Sequence, residues 1–184
     1  MMKTSKRADE GTELDLSGRN LVNLQQQFGK LVFTFRLSIS DNPLFSLEGI
    51  QVLTNLTHLN VSRTLISDFA PIQLLFQMKS ITAQNCQISD LQHLQNLSNL
   101  THLYLDNKRI ADSQQLLFLK NLKRLELFWI MNNLICCETN FEAVLKENCS
   151  QVKNLNKKVV KVAKLFFPIY DRYSDNLLYP QREI

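Results

Sequence analysis

Residues 78–99 read MKSITAQNCQISDLQHLQNLSN and residues 100–121 read LTHLYLDNKRIADSQQLLFLKN, two copies of one 22-residue pattern. With Leu100 as position 1, apolar residues follow at positions 4, 6 and 11 (Leu103, Leu105, Ile110) and at 17 and 20 (Leu116, Leu119). The copy before it repeats the series with Met78, Ile81, Ala83, Ile88, Leu91, Leu94 and Leu97. Two further steps back find Leu56, Leu59, Val61, Ile66, Phe69, Ile72 and Leu75, and then Leu37, Ile39, Leu44, Leu47, Ile50 and Leu53. A fixed period of this kind marks a repeat architecture in which no unit buries its own apolar face.

The residues also say how one unit folds. Alternation in His102-Leu103-Tyr104-Leu105-Asp106 places leucines on one side of a short strand and polar groups on the other. The three-residue spacing of positions 11, 14, 17 and 20 suits a return path of turns, 3₁₀ segments or short helix. Each unit is then one coil, and stacked coils share one core. Each large apolar side chain fully buried there contributes about 1.5–3 kcal/mol before entropy.

The motif L-x-x-L-x-L-x-x-N-x-L resembles the leucine-rich repeat. Its 22-residue length, with an aliphatic residue at 11 and apolar residues at 14, 17 and 20, resembles the class typified by the protein phosphatase 1 regulatory subunit. The resemblance covers about residues 11–156. It implies an α/β fold, a right-handed solenoid with short parallel strands on the concave face and turns, 3₁₀ segments or short helices on the convex face. The asparagine that such repeats carry at position 9, which satisfies turn backbone, is matched by Asn42, while Thr64 and Cys86 substitute for it. Arg19 and Lys108 depart from the pattern, so their turns are expected to be looser.

An irregular first copy, one residue longer, carries Leu14, Leu16, Leu21, Leu24, Phe28 and Leu31. The last strand is expected to carry Leu122, Leu125 and Leu127, followed by about two extra residues before Asn132 or Asn133 takes the turn. In TNFEAVLKENC (139–149), Thr139 and Glu142 suggest a capping box, and Phe141, Val144 and Leu145 share a helical face. This segment resembles the C-terminal cap of cytosolic leucine-rich repeat proteins, among them the phosphatase regulator and a spliceosomal A-prime protein. The expected division is a loosely attached or disordered 1–10, a repeat domain over 11–156 with its cap at about 134–156, and a basic, partly helical tail over 157–184. Residues 153–184 hold seven basic and three acidic residues, which is the whole net charge of +4. The lysines at 157, 161 and 164 lie opposite Val159, Val162 and Phe166, a pattern expected to pack on the cap rather than to bind nucleic acid.

At 45% hydrophobic and 21% charged the composition is that of an ordinary globular domain. No apolar signal region opens the chain and no run of about 18 apolar residues occurs. Four cysteines are therefore read as reduced thiols, and the location as cytoplasmic or also nuclear. Cys136, Cys137 and Cys149 offer the one contrary argument, since extracellular repeats of this type often close with a disulfide cap.

No catalytic triad, phosphate loop or carboxylate pair is found in a supporting context, so no catalytic residue, cofactor or metal is assigned and no enzyme activity is expected. His58 and His102 fall two strands apart, about 9–10 Å, too far to share a metal. The outward strand positions should form stripes: Glu13, Arg36, His58, Ser80, His102, Arg124; then Asp15, Ser38, Asn60, Thr82, Tyr104, Glu126; then Ser17, Ser40, Ser62, Gln84, Asp106 and Phe128. Candidate partner-binding residues are His58, Arg63, His102, Tyr104, Asp106, Arg124, Glu126 and Trp129, rich in the residue types that anchor interfaces. The competing reading puts Phe128 and Trp129 in an inserted loop against the cap. The expected function is monomeric, non-catalytic binding of a partner protein on the concave face. The alternatives are regulation of a protein phosphatase 1 type enzyme and ribonucleoprotein assembly.

Overall fold

The computed structural model describes residues 12–24, 31–106 and 109–155. Among these residues seven parallel strands form one sheet in sequence order: β1 (Thr12–Asp15), β2 (Thr34–Ser38), β3 (His58–Asn60), β4 (Ser80–Thr82), β5 (His102–Tyr104), β6 (Leu127–Trp129) and β7 (Asn154–Leu155). The return paths carry 3₁₀ turns at Ile50–Val52, Ala70–Ile72, Gln92–Leu94, Ser113–Leu119 and Leu134–Cys137. Leu37, Leu59, Ile81 and Leu103 lie opposite one another across neighbouring strands. The periodic apolar residues of the central coils are at most 2% exposed and form one continuous core. Strand alternation and return-path spacing thus meet on the same interior side.

A second regularity supports each strand exit. Gly18, Asp41, Arg63, Asn85 and Asn132, all at position 8, have φ between 56° and 65°. That left-handed conformation is cheap for Gly and tolerable for Asn and Asp, and it turns the chain out of the sheet at the same point in these five coils. Arg63 adopts it while its guanidinium pairs with Asp41 of the preceding coil, Nη2 to Oδ2 at 2.7 Å.

The longer first coil is observed, and its extra residue is located. The register shifts by one between Thr12–Thr34 and Glu13–Arg36, which leaves Phe35 as the bulged residue of β2. The Arg36 guanidinium lies 6.0 Å from the Phe35 ring centroid.

The sixth coil differs from expectation. Its extra residues precede the strand rather than follow it: Leu125 N–H donates to Leu122 O, adding a turn, and only then does Leu127 N–H donate to Thr101 O. Leu127, Phe128 and Trp129 therefore pair with His102, Leu103 and Tyr104. Phe128 is fully buried in the core, so it belongs neither to the third surface stripe nor to a loop against the cap. Counted from Leu125, the motif becomes Leu125, Phe128, Ile130, Asn133, Ile135 at positions 1, 4, 6, 9 and 11, so Asn133 is a second match to the position-9 asparagine.

The two asparagines act alike. Asn42 Nδ2 donates to Leu16 O, Ile39 O and Ser40 O, and its Oδ1 accepts from the Arg19 and Leu21 amides. Asn133 Nδ2 donates to Leu105 O, Ile130 O and Met131 O, and its Oδ1 accepts from Ile110 N. Each asparagine ties its own turn to the coil before it. The Arg19 turn, expected to be loose, is held in this way by Asn42 of the next coil. Lys108 lies outside the described residues, as do Phe28, residues 1–10 and residues 157–184.

The last coil is covered by an α-helix, α1 (Phe141–Asn148), which packs against the turns at 113–119 and 134–137. Leu145 of α1 joins the core. The capping box is absent: Asn140, not Thr139, precedes the helix, in an αR conformation with no side-chain capping bond. A capping side chain needs an extended backbone at that position to reach the N2 or N3 amide.

Candidate functional site

Outward-facing strand positions build the concave surface, and its composition changes along the solenoid. At the N-terminal end Ser17 Oγ meets Ser38 Oγ at 2.7 Å, Ser40 Oγ donates to Ser17 Oγ at 3.0 Å, and Asn60 Nδ2 donates to Ser38 Oγ at 3.3 Å. Glu13 pairs with Arg36 at 3.3 Å. These groups satisfy one another in a polar ladder that follows the coil repeat.

His58 and His102 repeat one arrangement two strands apart, each with Nδ1 at 2.8 Å from the hydroxyl of the preceding threonine, Thr57 or Thr101. β4 lies between them. Burial lowers the pKa of His58, and the neighbouring charges of Arg36 and Lys79 add to the effect. His58 therefore favours the neutral imidazole. Among the described residues no group of three or more His, Cys, Asp or Glu is placed to hold a metal ion.

At the C-terminal end the stripes become apolar. Leu127 continues the line of His102, and Trp129 continues that of Tyr104. Met131 follows two residues later, at the position of Asp106. Leu127, Trp129 and Met131 are each half-buried. The Tyr104 and Trp129 rings meet edge to face with centroids 5.2 Å apart, and His102 stacks on Tyr104 at 6.5 Å. Burial raises the pKa of Tyr104, so it presents a neutral phenol near pH 7. Other exposed apolar side chains, including Phe33, Phe45 and Leu74, fall outside the strands.

Asp106 borders this aromatic pair. Its Oδ2 accepts from Gln84 Nε2 at 3.0 Å, while the buried Oδ1 makes no hydrogen bond. Burial raises its pKa, against smaller opposite effects from Gln84 and the Met131 backbone amide. That amide influences the carboxyl without bonding Oδ1.

The structure thus brings together His102, Tyr104, Asp106 and Trp129 from among the expected site residues. Arg63 lies at the strand exit in its pair with Asp41, and His58 lies in the polar half. Arg124 and Glu126 are displaced from the expected stripes because the extra turn at 123–125 precedes β6. Arg124 Nη1 donates to Asn99 Oδ1 at 2.8 Å, and Glu126 pairs with Lys153 at 2.8 Å, which lowers the Glu126 pKa. Leu127 and Met131 were missed. Counting the repeat motif from Leu125 rather than Leu122 would have found them.

No family model matches the chain, and no curated protein matches it. Solved structures do. An internalin (inlF) from Listeria monocytogenes aligns with TM-score 0.57 and 26% identity over 68% of this chain and 34% of its own. Internalin C2 of the same organism aligns with TM-score 0.56 and 28% identity over 63% and 51%. The fold is a leucine-rich repeat solenoid. This solenoid spans about a third and about half of those two internalins. The Drosophila melanogaster SNF/U2A′ complex aligns over 88% of this chain and 82% of its own, with TM-score 0.53 and 17% identity, a likeness of fold. No helix among the described residues is long and apolar enough to cross a membrane.

Proposed function

We propose that this leucine-rich repeat domain is a non-catalytic module that binds a partner protein on its concave face, at the C-terminal end. The observation that carries the reading is the replacement of small polar residues by Leu127, Trp129 and Met131 in register with Tyr104. Buried aromatic anchors of this kind dominate interface energetics, whereas a self-satisfied polar ladder offers a partner little. The four cysteines are free thiols, which suits a reducing compartment, and we assign the module to the cytoplasm or nucleus.

The test is affinity for a captured native partner. Trp129→Ala and Tyr104→Ala should each weaken binding by about 2 kcal/mol or more while the melting temperature stays within a few degrees. Unchanged affinity in both variants would refute the site. The 22-residue repeat class favours one finer reading, a protein phosphatase 1 type catalytic subunit as the partner. Titration with that purified subunit decides it, and lack of binding removes it.

A further inference from the structure

We propose that the concave site receives a basic side chain, arginine or lysine, of the partner protein between Asp106 and the Tyr104–Trp129 pair. This rests on the concave-face reading above and adds the chemistry of the partner. Asp106 follows Tyr104 by two residues, so both project from the same side of the coil about 7 Å apart. Trp129 and Met131 occupy the corresponding positions one coil further on. Strand register therefore sets an aromatic pair, a thioether and one carboxylate next to one another.

The carboxylate makes the seat selective. Three other acids on or beside this surface already meet cations: Glu13 meets Arg36, Asp41 meets Arg63 and Glu126 meets Lys153. Asp106 has only the Gln84 amide as side-chain donor among the described residues, and its buried Oδ1 bonds nothing. A half-buried carboxylate that meets no cation among the described residues gains a charge-assisted bond from a partner's guanidinium or ammonium group. An arginine or lysine stem can lie along Trp129 while its head reaches the half-buried Asp106 carboxylate, and an arginine plane gains further from the aromatic faces. An apolar neighbour in the same segment then covers Leu127 and Met131. An acidic segment would meet Asp106 with like charge.

The probe is a phage-displayed library of random heptapeptides selected on the full chain. Enriched peptides should carry Arg or Lys beside a large apolar residue. Their binding can be followed by fluorescence, because Trp129 is the single tryptophan of the chain. Asp106→Asn should weaken these peptides about tenfold or more and abolish the preference for basic residues while leaving the apolar preference. Met131→Lys, which supplies a cation beside the seat, should do the same at a half-exposed position that the fold tolerates. Enrichment of acidic or uncharged peptides, failure to select any binder, or undiminished basic preference in both variants would overturn the proposal. If Trp129→Ala abolishes peptide binding while the other two variants leave basic preference intact, the concave-face reading survives and the cation seat does not. Peptide binding unaffected by all three variants removes both.

Discussion

The two ends of the concave face use one backbone for opposite purposes. In coils 1 to 3 the outward positions carry serines and asparagine that bond to one another, with Glu13 and Arg36 paired at the edge. In coils 5 and 6 the same positions carry His102, Tyr104 and Trp129, whose rings meet in sequence, with Leu127, Met131 and an incompletely bonded Asp106. Inward positions hardly differ between the two ends, because the shared core demands the same apolar volume in every coil. Fold and, in the proposed function, recognition are therefore written on alternate residues of the same short strands.

The largest break should come from the side the ends share. Leu103→Asp and Phe128→Asp each place a charge where the native side chain is 0% exposed, so both should abolish cooperative thermal unfolding. A Phe128→Asp variant melting within a few degrees of the parent would show that the sixth strand is out of register. A smaller effect separates the turns. Asn133→Ala leaves the Leu105 and Ile130 carbonyls and the Ile110 amide without their partner and should cost about 2–4 kcal/mol by urea denaturation. Thr64→Ala removes a hydroxyl bond to Val61 O and should cost about 1 kcal/mol.

On the surface, Arg36→Ala should leave partner affinity unchanged, in contrast to the loss expected from Trp129→Ala. Equal losses from the two would spread the interface over the whole face. The smallest effect belongs to the exposed Asp41–Arg63 pair, where Asp41→Asn should change stability by less than about 1 kcal/mol. Its Arg63 hydrogen bond holds the Asp41 carboxyl below the usual carboxylate range. The pair's small contribution is therefore present above the ordinary carboxylate range and disappears as pH falls through the folded-state value. A pH-stability profile of Asp41→Asn against the parent should differ only there.

Most of the fold was legible because the repeat is a constraint on spacing: the same apolar residue every 22 positions must face the same core, and four copies in register leave little choice of architecture. The outward stripes of coils 1 to 5 followed from strand alternation alone. Spacing determines nothing where the repeat changes length. In Leu122-Lys123-Arg124-Leu125-Glu126-Leu127 several registers place leucines inward, and counting forward from Leu122 put Arg124 and Glu126 on the face. Tertiary structure chose otherwise, because filling the sixth coil with Phe128 and placing Asn133 to bond Leu105 O and Ile110 N satisfies both core volume and buried backbone polarity. That choice brought Leu127, Trp129 and Met131 onto the concave face. It also left Asp106 beside them with a buried oxygen unbonded, a relation between coils that depends on side-chain packing in three dimensions.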